Sequence, residues 1–342
     1  MPLTLDKDVL LFFEDRDRDT FVRGDRKLRR MLRKAVYAGL RPGRQKISGF
    51  ELSFVLLKRA LEQSGKTVHV NDFALAKKNP TFPVGLCGYA HILNGWTLPN
   101  PAVLGPGIYD HPKQAPALMK DARFRSYIAF CSWMKDLFAT IYPRDQIYLW
   151  FGGMDLAQWP DHSLQEKDID FLVYDKIRWE RDDLIPSLRQ PIIDELTRRG
   201  LRSEIVQYGF YTHESYRDLL RRSKAMIFLC EHETQGMAYQ EAMATNVPIL
   251  AWDQGFWLDP NRPKWEEMPV PASSVPYFSS ECGETFTGAT DFAAQLDTFL
   301  ERRSTYTPRA WVAKNLSFQT SAELYMRAYA NAAASRTNYD VA

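Results

Sequence analysis

Two glutamates, Glu233 and Glu241, lie eight positions apart in the sequence with Gly236 between them. They follow the apolar run 225–230 (AMIFLC) and precede the run 247–252 (VPILAW), so we expect a loop that leads from one buried strand into a short helix. Such a loop presents backbone N–H groups and the positive end of a helix dipole to an anion. A carboxylate at that helix can accept two hydrogen bonds from a vicinal diol, so the pattern is typical of a site for the phosphates and ribose of a nucleotide. For two glutamates alone, a solvated loop residue and a charge that complements the helix N-terminus would be the better interpretation.

The residues around these glutamates make the pattern more specific. The stretch 233–251 resembles the signature of retaining, nucleotide-sugar-dependent glycosyltransferases of family 4, written E-x-F-G-x-x-x-x-E-A-M-A-x-G-x-P-V-I-A. The following residues match it: Glu233, Gly236, Glu241, Ala242, Met243, Ala244, Pro248, Ile249 and Ala251. The resemblance continues in order along the chain from about Ser48 to Tyr329.

The resemblance implies a role for the cations of the segment 175–182 (DKIRWERD), which corresponds to the family's phosphate loop. Lys176 and Arg181 take the two cationic positions that hold the donor pyrophosphate, and Arg178 could share this role. Asp175 stands where the family has glycine. Fixed cations in a closed site stabilise the charge that develops on a departing diphosphate, and they do so without a metal.

The resemblance also implies which residues contact the rest of the donor. Glu241 would bind the ribose hydroxyls, and Glu233 would bind the hydroxyls of the donor sugar. The backbone of Gly236, Met237 and Ala238 would line the donor site.

Two further donor contacts are implied in the first half of the chain. Gly49 occupies the position of the family's N-domain glycine loop, and His111 falls near a family histidine that contacts the donor sugar. A turn histidine ahead of Pro112 is an equal alternative for His111. No His or Cys spacing indicates a metal site. We therefore expect no metal and no cofactor, with the nucleotide-diphosphate sugar as co-substrate.

The elements that would position these residues follow a regular pattern. Short β-branched or aromatic runs alternate with longer amphipathic stretches, which is typical of parallel sheets covered by helices. In the first half we predict strands at 9–13, 68–70, 101–104 and 127–130 and helices at 50–63 and 133–140. In the second half we predict strands at 170–174, 204–206, 225–230 and 247–252 and helices at 184–199, 216–222 and 238–245.

We therefore expect an α/β protein with two Rossmann-like, doubly wound domains that face a cleft, the GT-B arrangement of the family it resembles. Such sheets bind ligands at the carboxyl ends of their strands. The predicted domains are 1–145, which would bind the acceptor, and 146–305, which would bind the nucleotide sugar. A final segment, 306–342, contains an amphipathic helix that would return to the N-terminal domain.

The charge of the chain is unevenly distributed. The 342 residues contain 44 Lys plus Arg and 42 Asp plus Glu, for a formal charge of +2. Residues 1–145 hold 24 of these cations and 14 of the anions, a net +10, which leaves 20 and 28 for residues 146–342, a net −8. Apolar residues make up 45% of the sequence, which is ample for packed cores and argues against a disordered acidic or a histone-like basic protein.

Much of the positive charge lies in the segment 16–46, which has twelve Lys and Arg. Apolar residues recur at helical spacing within it, so the segment predicts a basic amphipathic helix. Contact with an anionic membrane surface or an anionic acceptor is one interpretation, and a solvated helix packed by one apolar stripe is an equal alternative. No RNA-recognition motif accompanies the charge, so we expect no nucleic-acid partner.

The cysteines and the hydropathy of the chain indicate the cellular compartment in which we expect the protein. The four cysteines are far apart without a CxxC pair, so we expect reduced core residues. We see no secretory signal and no run of about 18 apolar residues. The expected location is the cytoplasm, with peripheral contact to the inner face of the membrane as an option.

Taken together, the residues predict a retaining, metal-independent glycosyltransferase. It would move a sugar from a nucleotide diphosphate to a hydroxyl of a glycan or lipid-linked glycan. One alternative is another enzyme on the same fold, such as a nucleotide-sugar epimerase or a phosphorylase. The other is a non-catalytic scaffold that binds a nucleotide sugar.

Overall fold

The computed structural model describes residues 2–14, 28, 29, 31, 32, 35 and 48–334. Two compact units contain these residues. The first unit comprises 2–14, 48–153 and 318–334, and the second comprises 154–317 together with the described residues 28, 29, 31, 32 and 35. Most of the basic segment 16–46 lies outside the described residues.

The first unit is built on a parallel sheet of six strands in the order β2-β1-β3-β4-β5-β6. Its strands are β1 (Asp8–Glu14), β2 (Thr67–Val70), β3 (Val84–Gly88), β4 (Ala102–Leu104), β5 (Phe124–Ala129) and β6 (Ile147–Leu149). The central strands β3 and β4 are buried at every position. Continuous burial of this kind is what a parallel sheet with both faces covered requires.

Helices cover both faces of this first sheet. The described helices of the unit are α1 (Gly49–Gln63), α2 (Phe73–Lys78), α3 (Ser132–Phe138) and, at its C-terminal end, α10 (Phe318–Ala333). Short 3-10 helices lie at Ala90–Leu93, Pro112–Gln114, Leu118–Lys120 and Arg144–Gln146.

The last helix, α10, is bonded into this first unit, as its predicted return to the N-terminal domain requires. The Tyr329 hydroxyl donates to the Pro83 carbonyl (2.6 Å) and accepts from the Leu10 amide (2.9 Å). It therefore joins the helix to β1 and to the residue that precedes β3. The Ser321 hydroxyl donates to the Phe151 carbonyl over 2.7 Å.

The second unit repeats the plan with five parallel strands in the order β11-β10-β9-β7-β8. Its strands are β7 (Ile169–Asp175), β8 (Ser203–Gln207), β9 (Ser223–Leu229), β10 (Ile249–Trp252) and β11 (Gly283–Phe286). Its described helices are α4 (Arg181–Leu184), α5 (Gln190–Arg198), α6 (His213–Arg222), α7 (Met237–Ala244), α8 (Ala289–Arg302) and α9 (Pro308–Asn315). A π-helical stretch, Ile185–Arg189, connects α4 and α5, and 3-10 helices lie at Arg262–Lys264 and Arg303–Thr305.

One core of the second unit forms where α5 and α8 pack on the sheet. Ile192 and Leu196 of α5 and Leu296 of α8 are fully buried against apolar side chains of β7 and β9. Each such side chain contributes on the order of 2 kcal/mol of burial free energy. The rigid sheet that results fixes where its strands end, and two parallel α/β sheets confirm the predicted fold class.

Candidate functional site

The predicted donor residues of the second half gather at one edge of the second sheet. The strands β7, β9 and β10 are parallel neighbours, so their carboxyl ends lie at the same edge. Lys176 and Arg178 follow β7, Glu233 follows β9, and Glu241 lies on α7, the helix that comes after β9. This edge of the second sheet is the candidate site.

Lys176 and Glu233 form an ion pair at this edge. The Lys176 Nζ donates to Glu233 Oε1, and the two side chains are only 15% and 10% exposed. Burial alone would lower the pKa of Lys176, but the charge of Glu233, with smaller contributions from the Cys230 and Tyr208 side chains, raises the pKa of Lys176 to about 12. The Lys176 Nζ also lies 4.7 Å from the centre of the Tyr208 ring, a cation–π contact. The lysine is therefore a permanent positive charge.

Arg178 is held by the segment that follows β9. Its guanidinium Nη2 donates to the His232 carbonyl (2.9 Å), and its Nε lies 3.5 Å from Glu231 Oε2. Glu231 Oε1 accepts the backbone N–H groups of Arg178 (2.7 Å) and Trp179 (3.0 Å). The Arg178 side chain stays 31% exposed. It is a tethered cation that a ligand at the edge could still reach.

Arg181, the other cation that the family resemblance assigned to the pyrophosphate, has a different set of contacts. Its guanidinium forms a bidentate pair with the fully buried Asp175 carboxylate, with both N–O distances 2.9 Å, and Arg189 adds a third bond at 2.7 Å. Burial would raise the pKa of Asp175, but the hydrogen bonds from the two arginines hold it below its usual range. Asp175 stands where the family has glycine, and its charge is compensated largely by Arg181.

The helix α7 is preceded by its N-cap residue Gly236, which adopts the left-handed conformation (φ +74°, ψ +48°). A Cβ at this position would lie 1.9 Å from Tyr239 Cε1, so only glycine fits the turn. Met237 and Ala238 form the first turn of α7, and the Ala238 carbonyl accepts a 2.6 Å hydrogen bond from the Tyr216 hydroxyl. The turn therefore fixes the start of α7 after the carboxyl end of β9.

Glu241 lies one turn into α7, beside a cluster of tyrosines. Burial raises the pKa values of Tyr174, Tyr211 and Tyr216, and the charge of Glu241 adds to the rise in each, which places Glu241 near their hydroxyls. Burial raises the pKa of Glu241 itself to about 8, with Arg217 opposing the shift. None of the described residues donates a hydrogen bond to the Glu241 carboxylate. A partly buried carboxylate with free acceptor capacity can take bonds from a ligand.

Gly49 and His111 belong to the first unit. Gly49 is the exposed first residue of α1, which Ser48 caps by accepting the Glu51 amide (3.1 Å). His111 is 1% exposed, and its Nδ1 accepts the Lys113 amide (3.1 Å) at the start of a 3-10 helix. The structure therefore gives the His111 side chain a capping role in a turn.

Sequence reasoning missed Glu231 and the ring stack beside it. The His232 imidazole lies on the Trp179 indole with ring centroids 5.3 Å apart, and burial together with the charges of Arg178 and Lys176 lowers the pKa of His232 to about 3. The available signal was that Glu231 directly follows the apolar run 225–230. A charge at the end of a buried strand lies at the sheet edge and must find partners there.

The described residues contain no group of three or more His, Cys, Asp or Glu side chains placed to hold a metal ion. The four cysteines are all buried and free of disulfides, as the sequence predicts.

Comparison with known proteins gives structural similarity at low sequence identity. No protein-family model matches the chain, and no curated sequence matches it significantly. The structure is similar to a sucrose-phosphate synthase from Thermosynechococcus elongatus, with a TM-score of 0.53, 12% identity, and coverage of 95% of this chain and 99% of the other. It is also similar to TarM, with a TM-score of 0.50, 9% identity and coverage of 72% of this chain.

The chain spans only 54% of the length of the TarM chain. A mutant of S. aureus TarM has been crystallised with fondaparinux, alpha-GlcNAc-glycerol and UDP, and it matches this chain with a TM-score of 0.50 at 9% identity over 72% of this chain and 55% of its own. At 9–12% identity these matches establish a shared fold. The protein therefore has the GT-B type of architecture, two Rossmann-like α/β units of parallel strands.

Proposed function

We propose that this protein is a retaining glycosyltransferase that moves a sugar from a nucleotide diphosphate to a hydroxyl of a glycan or lipid-linked glycan. The observation that carries the proposal is the grouping of Lys176, Arg178, Glu233 and Glu241 at the carboxyl edge of one parallel sheet. This edge is where doubly wound sheets bind nucleotides. The shared fold adds support, because the matched TarM mutant was crystallised with UDP.

In this proposal the donor diphosphate binds to Lys176 and Arg178. Lys176 is a permanent cation, and Arg178 can form bidentate bonds to phosphate oxygens. Both side chains are fixed before the donor arrives, so they stabilise charge on the departing diphosphate without reorganisation. Arg181 acts behind them, because it compensates the buried charge of Asp175.

The two glutamates hold the sugars of the donor. Glu241 has unused acceptor capacity and would bind the ribose diol, and Glu233 would bind hydroxyls of the transferred sugar. The Lys176 ammonium has three N–H donors, so it can bind a diphosphate oxygen while it keeps its bond to Glu233.

The reaction we propose keeps the anomeric configuration and uses no metal. The departing phosphate oxygen would take the proton of the acceptor hydroxyl on the same face of the sugar ring. A pair of carboxylates at the spacing that glycosidases use is therefore not required.

The acceptor would bind to the basic half of the chain. We assign contact with an anionic acceptor or membrane surface to the segment 16–46. The described positions 28, 29, 31, 32 and 35 are helical. The side chains of Leu28, Met31 and Leu32 are 55%, 62% and 55% exposed. Exposed apolar residues among cations are typical of helices that lie on anionic surfaces.

Incubation of the protein with UDP, GDP and ADP sugars, with analysis of the products by NMR, tests the proposal. We expect slow donor hydrolysis, or transfer to an added glycan, with retained anomeric configuration. An inverted product contradicts the retaining mechanism. Conversion of the donor to an epimer, or phosphorolysis of a glycan, supports the alternative enzymes. Tight nucleotide binding without turnover of any sugar supports a scaffold.

A further inference from the structure

The loop that follows β7 has no unused backbone donor between Lys176 and Trp179. The Lys176 amide donates to the Leu229 carbonyl (2.8 Å), and the Ile177 amide donates to Asp175 Oδ1 (3.1 Å). The next two amides, of Arg178 and Trp179, both donate to Glu231 Oε1. Successive amides at such an edge can bind an anion. Here a carboxylate of the chain itself takes that place.

Glu231 is well suited to hold this loop rigidly. It is 1% exposed, and a carboxylate buried to this extent is stable only while its hydrogen bonds are satisfied. If the loop moved away, Glu231 would be left charged, buried and without its backbone donors. Opening the loop is therefore opposed by the cost of leaving this buried acceptor without its donors.

Arg178 depends on the same contact. Its backbone is fixed by Glu231, and its guanidinium is tethered between Glu231 Oε2 and the His232 carbonyl. Lys176 lies two residues earlier and is anchored at its own amide by β9. The positions of the Lys176 and Arg178 side chains therefore depend on the conformation of this loop.

We propose that Glu231 is a positioning residue for the transfer reaction. Its carboxylate substitutes for an anion within the loop and so fixes Lys176 and Arg178 for the donor diphosphate. The inference rests on the proposed function for its effect on rate, whereas its effect on the loop can be measured in the free protein. It adds to the family resemblance, which assigned no role to this position.

Three variants separate the geometry of Glu231 from its charge. Glu231→Gln keeps an Oε1 acceptor for the two amides but removes the charge, Glu231→Asp keeps the charge but shortens the reach, and Glu231→Ala removes both. The matched control is Asp170→Ala at the opposite end of β7. The Asp170 carboxylate accepts the Arg202 amide (2.8 Å) and the Lys224 Nζ (2.7 Å), so its removal perturbs the same strand far from the loop.

The first measurement is amide hydrogen exchange in the nucleotide-free protein. We expect the Arg178 and Trp179 amides to exchange at least about tenfold faster in Glu231→Ala and Glu231→Asp than in wild type. In Glu231→Gln both amides should exchange near the wild-type rate, and in Asp170→Ala their exchange rates should be unchanged. If Glu231→Ala does not fold, the exchange rates of Glu231→Gln and Glu231→Asp are compared with each other to test the inference. Wild-type exchange at both amides in Glu231→Asp or Glu231→Ala overturns the inference, whether or not the protein transfers sugar.

The second measurement is donor turnover by the folded variants. We expect Glu231→Asp and Glu231→Ala to lose about tenfold or more in kcat while KM for the UDP sugar changes by less than about threefold, because displaced cations serve the transition state worse than the ground state. Glu231→Gln should recover most of kcat, and Asp170→Ala should lower only the melting temperature. Equal kcat in Glu231→Ala and Asp170→Ala contradicts a positioning role. Absence of turnover in the wild type contradicts the proposed function, and the exchange result then stands by itself.

Discussion

Glu241 is a carboxyl group that the fold disfavours in its charged form. Burial raises its pKa from 4.5 to about 8, and no described residue donates a hydrogen bond to it. A group whose pKa is raised by burial destabilises the folded state once it ionises. A side chain that costs stability and has free acceptor capacity is what a ligand-binding role would require.

This cost can be measured as a pH dependence. Below about pH 4.5 Glu241 is protonated in both states, and as the pH rises toward 8 the unfolded state loses the proton first, so stability falls. We expect Glu241→Gln to gain stability relative to wild type between pH 5 and pH 9, by about 2 kcal/mol after allowance for partial exposure. Urea unfolding at several pH values measures it. A difference that does not vary with pH contradicts the assignment.

The two arginines of the loop after β7 should have different roles, with Arg178 binding the ligand and Arg181 stabilising the fold. We expect Arg178→Ala to weaken UDP binding by about tenfold or more. Arg181→Ala should leave UDP affinity within about threefold but destabilise the fold by about 2–4 kcal/mol, because the buried Asp175 loses its bidentate partner.

Calorimetric titration and thermal unfolding of the same two variants distinguish these effects. Arg189→Ala is the control, since it removes one bond to Asp175 and leaves the Arg181 pair in place. Equal loss of UDP affinity in Arg178→Ala and Arg181→Ala would return Arg181 to the role that the family resemblance implies.

Sequence could identify the charged loop but not the use of each charge. The segment 175–182 contains three cations and three anions, and several pairings are compatible with its spacing. The structure pairs Arg181 with Asp175 inside the loop, whereas Lys176 pairs with Glu233 about sixty residues later. Pairings that depend on the meeting of β7 and β9 cannot be read from local sequence.

At the scale of elements, the turn into α7 depends on one glycine. Gly236 and Gly200 both have positive φ, +74° and +69°, but a Cβ at Gly200 would meet open space. We expect Gly200→Ala to cost about 1 kcal/mol through backbone strain alone. Gly236→Ala should cost on the order of 2–4 kcal/mol, because Tyr239 must also move. Thermal unfolding of both variants measures the difference, and equal losses would mean that Tyr239 adapts freely.

The elements with strong apolar signals were predicted well. β7 and β9 are buried along most of their length, so a continuous apolar run marks each of them. β3 was missed because its sequence, VGLCG, contains two glycines, and β6 because it is three residues long. The predicted helix 184–199 contains a π-helical stretch, since Pro186 and Pro191 supply no amide for regular helical bonds.

At the scale of the whole molecule, the basic first half predicts binding to anionic surfaces. No described helix is long and apolar enough to cross a membrane. We expect the protein to sediment with vesicles that contain phosphatidylglycerol at low salt and to lose about fivefold or more of this binding at 0.5 M salt. Replacement of Arg29, Arg30 and Arg33 by Gln should weaken vesicle binding. Replacement of the exposed Arg198 and Arg221 of the acidic half by Gln should leave vesicle binding unchanged. Binding that is insensitive to salt contradicts an electrostatic contact.

We expect the carboxyl edge of the second sheet to bind a nucleoside diphosphate. Calorimetric titration of UDP, GDP and ADP into wild type, Lys176→Ala, Glu241→Ala and the distant control Arg198→Ala tests it most directly. We predict that wild type and Arg198→Ala bind at least one nucleotide equally, and that the two site variants bind it about tenfold or more weakly. Wild-type affinity in both Lys176→Ala and Glu241→Ala, or no binding of any nucleotide to the wild type, would contradict the account.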